Sequence, residues 1–133
     1  MMTKERRNIL VVDDDSDLLT VMGQAVKNLE HMGITDNIFL ASDGVEAAKI
    51  CSKIHIHALV TDIKMPNKSG QELIEELREK EGSNFPIFVM TAYATDNLTQ
   101  ELEQINAVKV YKKPIDIQNL LTELSDYLDK MKS

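Results

Sequence analysis

An α/β fold built on a doubly wound parallel sheet is what this chain predicts, and three observations predict it. Five short apolar runs of strand length alternate with stretches whose apolar residues recur at helical spacing. The runs are apolar at consecutive positions, which suits strands covered on both faces, as parallel strands are. Each of them gives way to charged or hydroxyl side chains, so polar groups collect at one end of the strands. Right-handed crossovers restrict such a chain to a few strand orders, and ligands of these sheets bind beyond the carboxyl ends of the strands.

The elements follow in order. Ile9-Leu10-Val11-Val12 is a buried strand, and Asp13-Asp14-Asp15-Ser16-Asp17 comes directly after it. Asp15 or Ser16 serves to cap the next helix; Asp13 and Asp14 are left over. That helix carries Leu18, Met22, Ala25, Leu29 and Met32 as a core stripe, with Gly33 as its stop. A second strand covers 37–41, and Asp43-Gly44-Val45-Glu46 reads as a capping box opening a helix through Ala47, Ala48 and Ile50. Ala58-Leu59-Val60 is the third strand, running to Asp62; Pro66 and Gly70 then force a loop. Ser69-Gly70-Gln71-Glu72 is another capping box, with Leu73, Ile74 and Leu77 on the buried side of its helix. Pro86 to Met90 form the fourth strand, ending at Thr91. A helix over residues 95–105 has only Leu98, Leu102 and Ile105 as anchors and is expected to be loosely held. The fifth strand, 108–111, ends in Lys112-Lys113-Pro114. The last helix shows Ile117, Leu120, Leu121, Leu124, Leu128 and Met131 on one face.

Composition bounds the function. The 133 residues make one domain, with its core over about 8–131, and 43% hydrophobic with 28% charged residues is ordinary for a globular protein. The net charge of −7 and the lack of a basic run argue against direct nucleic-acid binding. Lys4, Arg6 and Arg7, clustered near the start of the chain, read as a solvated N-terminal lead. Cys51 stands alone, so no internal disulfide forms, and its apolar helical setting marks it as core filler. No apolar stretch approaches the roughly 18–20 residues needed to cross a bilayer, and no signal peptide opens the chain. A cytoplasmic protein without membrane insertion is expected. His55 and His57 alternate in the manner of metal ligands, but no third ligand accompanies them at a recognisable spacing.

In a parallel sheet, the ends of strands one, three, four and five bring Asp13, Asp14, Asp62, Thr91 and Lys113 to one edge. A lone Asp62 would read as a loop cap. Three carboxylates with a hydroxyl and an ammonium read as a site for a hard cation such as Mg²⁺ and a phosphoryl group. A carboxylate there is itself a potential nucleophile, forming an aspartyl phosphate.

The chain resembles the receiver domain of two-component response regulators from Asn8 to about Met131. The resemblance is carried by Asp13-Asp14 after Ile9–Val12, by Asp62-Ile63-Lys64-Met65-Pro66 with Gly70, by Thr91-Ala92 and by Lys113-Pro114. It implies a flavodoxin-like five-stranded sheet of order 2-1-3-4-5 with five helices. It implies Asp62 as phospho-acceptor, charged from a phosphohistidine on a histidine kinase or His-phosphotransfer protein. Asp14 would hold Mg²⁺ directly, Asp13 largely through water, and the Lys64 backbone carbonyl would be a further ligand. Thr91 and Lys113 would hold the phosphoryl group and couple it to conformational change, which switches binding of a downstream effector protein unless the phosphoryl group is passed on. Within the family, Lys64, the run Met90-Thr91-Ala92-Tyr93 and the lack of an output domain resemble stand-alone phosphorelay or chemotaxis-type receivers. A receiver cut from a longer regulator or hybrid kinase would read similarly.

Two departures stand out. Receivers commonly carry an aromatic three positions before Lys113; here that position is Val110, and Tyr111 beside it falls on the opposite face by alternation. Ile115 stands where Phe is common. Two rival readings stand beside this resemblance. A haloacid-dehalogenase-type phosphatase would use Asp13 as nucleophile with Asp15, but Asp17 misfits its motif and Asp62 would be idle. A degenerate receiver would act as an unphosphorylated adaptor. A calcium loop over Asp13, Asp15 and Asp17 is rejected, because Leu18 and Gln24 occupy the places of its Gly and Glu.

Overall fold

The computed structural model describes residues 6–26, 28, 33, 36–63, 65, 69–81, 85–92, 100 and 107–131. Five strands, β1 (Asn8–Val12), β2 (Asn37–Ala41), β3 (Ala58–Asp62), β4 (Ile87–Thr91) and β5 (Lys109–Lys112), form one sheet in the order β2-β1-β3-β4-β5. Every neighbouring pair is parallel. Four helices stand among the described residues: α1 (Ser16–Val26), α2 (Gly44–Lys53), α3 (Gly70–Glu81) and α4 (Ile117–Met131). Of the helix expected over 95–105 only Gln100 is described, and it is helical; the rest lies outside the described residues, as do Leu29 and Met32 of the first helical stripe. Gly33 has φ of 81°, the left-handed conformation that glycine adopts without a Cβ penalty.

Consecutive apolar residues in each strand supply two cores. Ile9, Val11, Val60, Phe88 and Met90 face Met22 of α1 and Ile117, Leu120, Leu121, Leu124 and Leu128 of α4. Their alternate neighbours Leu10, Val12, Leu59, Ile87 and Val89 face Ala47 of α2 and Leu73, Ile74 and Leu77 of α3. Period-two alternation in the strands therefore meets helical stripes on both sides. Truncating one of these fully buried leucines, such as Leu120, to alanine would cost about 2–5 kcal/mol.

The caps form where the sequence places them. The Asp15 carboxylate accepts from the N–H of Asp17 (3.0 Å), that of Asp43 from Glu46 (2.8 Å), and the Ser69 hydroxyl from Glu72 (3.1 Å). The box at α2 is shifted by one residue: the Glu46 carboxylate reaches past Asp43 and accepts from the N–H and hydroxyl of Ser42. Asp116 caps α4 through the Asn119 N–H at 3.1 Å.

His57 is structural. Its Nδ1 accepts the Asn8 N–H at 2.9 Å, its own N–H donates to the Asn8 carbonyl, and its ring meets that of His55 edge-on. Cys51 is half-buried against the α2–α3 core, as a filler should be.

Arg7 departs from its reading as part of a solvated lead. It is buried, and its guanidinium grips Asp36 by two hydrogen bonds, Nε to Oδ1 at 2.8 Å and the second nitrogen to Oδ2 at 3.2 Å. It also reaches Ser125 and Asp129 on α4. The cation anchors the start of β1 to the start of β2 and to the final helix, a contact between residues that local sequence does not connect.

Candidate functional site

Sheet register assembles the site. Val12 of β1 pairs with Thr61 of β3, so Asp13, the next residue, comes beside Asp62. The Asp13 N–H donates to the Ala41 carbonyl at 3.1 Å, prolonging the β1–β2 ladder by one rung. Across the sheet, Thr91 pairs with Lys112, and the Lys113 N–H donates to the Thr91 carbonyl at 2.8 Å. The four strand ends thus converge on one crevice, as the parallel topology requires.

Within it, one carboxylate oxygen from each of Asp13, Asp14 and Asp62 lies within 4.8 Å of the others. The Lys113 ammonium bridges two of these acids, 2.7 Å from Asp13 Oδ2 and 2.9 Å from Asp62 Oδ2. The other Asp13 oxygen accepts the Asp15 N–H at 2.8 Å. The Asp13 side chain is wholly buried, that of Asp62 is 13% exposed, and Asp14 is open to solvent. Thr91 is buried at the end of β4.

Burial lifts the Asp13 carboxyl above the usual aspartate range, although the hydrogen bonds from Lys113 and the Asp15 amide pull it back. Burial also works against the Lys113 ammonium, but hydrogen bonds and charge from Asp13 and Asp62 outweigh it, and its pKa rises above that of an ordinary lysine. Lys113 is therefore a held cation in a crevice of acids.

Gly70 lies against the end of β3. A Cβ there would collide with the Asp62 carbonyl oxygen and stand 3.0 Å from Ile63 Cα, so the start of α3 lies directly against the Asp62 backbone. The Gly70 N–H donates to the Ile63 carbonyl at 2.9 Å. Its role as a loop former was legible from the sequence; this close approach to Asp62 was not. Lys64, Pro66 and Tyr93 lie outside the described residues.

Val110 and Tyr111 point to opposite faces of β5. Val110 is exposed, whereas Tyr111 is buried against Phe88 and donates its hydroxyl to Glu123 of α4 at 2.7 Å. Glu123 was not singled out by sequence, and local spacing holds no signal that pairs it with Tyr111.

A five-stranded parallel sheet with an acidic crevice and a lysine at its carboxyl edge defines an α/β class shared with solved proteins. The fold superposes with a TM-score of 0.80 on a CheY-like response regulator receiver domain protein from Methanospirillum hungatei, at 24% identity, covering 96% of this chain and 98% of that one. The response regulator receiver domain profile matches residues 9–125, and the chain belongs to that family: it is a receiver domain of two-component systems. Among curated relatives it is 25% identical to sporulation initiation phosphotransferase F of Bacillus subtilis over 120 residues, 90% of this chain and 92% of that protein. It is 29% identical to hybrid signal transduction histidine kinase D of Dictyostelium discoideum over 126 residues, covering 94% of this chain but only 8% of that protein.

Proposed function

We propose that the domain accepts a phosphoryl group on Asp62 from a phosphohistidine of a histidine kinase or His-phosphotransfer protein. The observation that carries this reading is the contrast between two neighbouring carboxylates. Asp13 is wholly buried, with one oxygen on the Asp15 amide and the other facing Lys113, whereas Asp62 keeps an exposed edge at the mouth of the crevice. A nucleophile must be reachable, and that favours Asp62 over the Asp13 nucleophile of a phosphatase reading. An Asp62 oxygen attacks phosphorus, the P–N bond to the donor imidazole breaks, and the electron pair leaves with the imidazole. Lys113 already spans Asp13 and Asp62, so its ammonium needs only a short movement to meet a phosphoryl oxygen; the Thr91 hydroxyl supplies a second donor.

The donor set suits Mg²⁺, since three carboxylates converge and hard oxygens are what this ion takes. Asp14 directly, Asp13 largely through water, Asp62 and the Lys64 backbone carbonyl would hold it, and it would supply neutralising charge for the transfer. A single receiver domain over 1–133 with a fifth helix between β4 and β5, a cytoplasmic location and a downstream effector protein complete the reading. No helix among the described residues is long and apolar enough to cross a membrane.

The test is phosphate incorporation from acetyl phosphate with Mg²⁺ present. Asp62→Asn abolishes labelling, and Asp13→Asn leaves a labelled acceptor at Asp62 even if the rate falls. Undiminished labelling of the Asp62 variant overturns the assignment.

A further inference from the structure

Lys109, Tyr111 and Lys113 follow one another at period two along β5 and its end, so they line one face of the strand. At one end of the row, Lys113 is held between Asp13 and Asp62. At the other end, Lys109 and the Tyr111 hydroxyl converge on the same oxygen of Glu123 in α4. The Lys109 ammonium also lies 4.9 Å from the centre of the Tyr111 ring. Tyr111 is packed against Phe88 of β4, three residues before Thr91, and Phe88 in turn meets Tyr127 of α4 edge-on at 5.7 Å. The family's usual aromatic position is occupied by the exposed Val110 on the other face, so an aromatic signal has no side chain there to ride on.

We infer that the Tyr111–Glu123–Lys109 cluster is a latch that ties α4 to β5 while Lys113 is engaged by Asp13 and Asp62, and that loading the phosphoryl site loosens it. Tyr111 is thus a positioning residue acting through Lys113. The inference rests on the Asp62 acceptor reading and adds the route by which that site addresses α4.

The physical argument is one of geometry and reciprocity. With a phosphoryl group on Asp62, Lys113 must turn from Asp13 toward the new oxygens. The end of β5 is bonded to Thr91 through the Lys113 amide, so the adjustment falls on a strand whose only sheet neighbour among the described residues is β4. Two residues back, the Tyr111 hydroxyl stands at the far end of a rigid ring, and a small shift of the strand costs it the 2.7 Å bond to Glu123. Burial and Glu123 together hold the Tyr111 phenol above its ordinary pKa, so it remains a donor throughout the neutral range. A latch made in the unloaded state and weakened in the loaded one opposes loading, and removing it must strengthen ligand binding at the site by the same factor.

Beryllofluoride with Mg²⁺, a noncovalent stand-in for the phosphoryl group, reads this directly by calorimetric titration. Tyr111→Phe removes one oxygen and keeps the ring, and Glu123→Gln lies at the surface, so both should retain the wild-type circular dichroism. Each should bind beryllofluoride about fivefold more tightly than wild type. Amide exchange in the α4 turn around Glu123 should accelerate when wild type is loaded and be already fast in Glu123→Gln before loading. Affinity equal to or weaker than wild type in either variant overturns the latch and leaves the acceptor reading intact. A wild-type protein that binds no beryllofluoride overturns the acceptor reading and the latch with it.

Discussion

Asp13 illustrates how a candidate site residue can oppose folding. Its carboxylate is wholly buried, and burial raises its folded pKa above the unfolded value of 3.8. The stability associated with the protonated form is complete below that unfolded value and is lost as pH rises through the folded one. At neutral pH the ionised group therefore opposes folding, with the Lys113 bridge offsetting part of the cost. Asp13→Asn should raise the thermal midpoint at pH 7 in chelator. The gain should fade as the pH falls below about 4, where wild type is protonated in both states. Excess Mg²⁺ should stabilise wild type more than the variant. Thermal scans at several pH values check this; a variant less stable than wild type at pH 7 in chelator contradicts it. The sequence could name Asp13 as a site residue but not its burial, because burial depends on how the strand ends pack together and not on local spacing.

At the scale of the element, the helices are nearly self-describing. Asp43 and Ser69 stand at caps that local spacing already marks, and α4 buries the apolar stripe that its spacing announces. The join between β3 and α3 is different, because Gly70 is fixed by what it touches seven and eight positions back. Gly70→Ala must push the Asp62–Ile63 backbone or the first turn of α3 aside, at a cost of about 1–3 kcal/mol as for other overpacked sites. Asp62, the proposed acceptor, moves with it, so the initial rate of phosphorylation by acetyl phosphate should drop as well. Urea denaturation and that rate, measured together, decide the point; unchanged values of both would mean the loop relaxes freely.

For the molecule as a whole, the opposite edge of the sheet is held by Arg7. Its guanidinium is bound to Asp36 in a setting where both side chains are almost wholly buried, and it continues to Asp129 on α4. Removing one partner of such a pair leaves the other charge buried without compensation, which costs about 3–5 kcal/mol. Arg7→Met should lose that much in urea unfolding. The double variant Arg7→Met with Asp36→Leu should recover most of it, since two apolar groups leave no buried charge. A loss below about 1 kcal/mol in Arg7→Met would show that water reaches Asp36.

The sequence by itself determined the alternation of five strands with helices, the caps, and the candidate site of Asp13, Asp14, Asp62, Thr91 and Lys113. Those features are set by spacing within short windows, by one covered sheet whose strands all point the same way, and by a resemblance carried on contiguous motifs. Three things were decided only by the tertiary structure. Lys113 bridges Asp13 and Asp62 because sheet register, not chain distance, puts them within reach. Arg7 belongs to the core because Asp36, Ser125 and Asp129, far along the chain, surround it. Tyr111 finds Glu123 because α4 returns across β5. Each is a contact between charged or polar groups distant in sequence. Hydrophobic periodicity carries no record of such pairings, since a polar residue reads the same in one dimension whether it meets water or a buried partner.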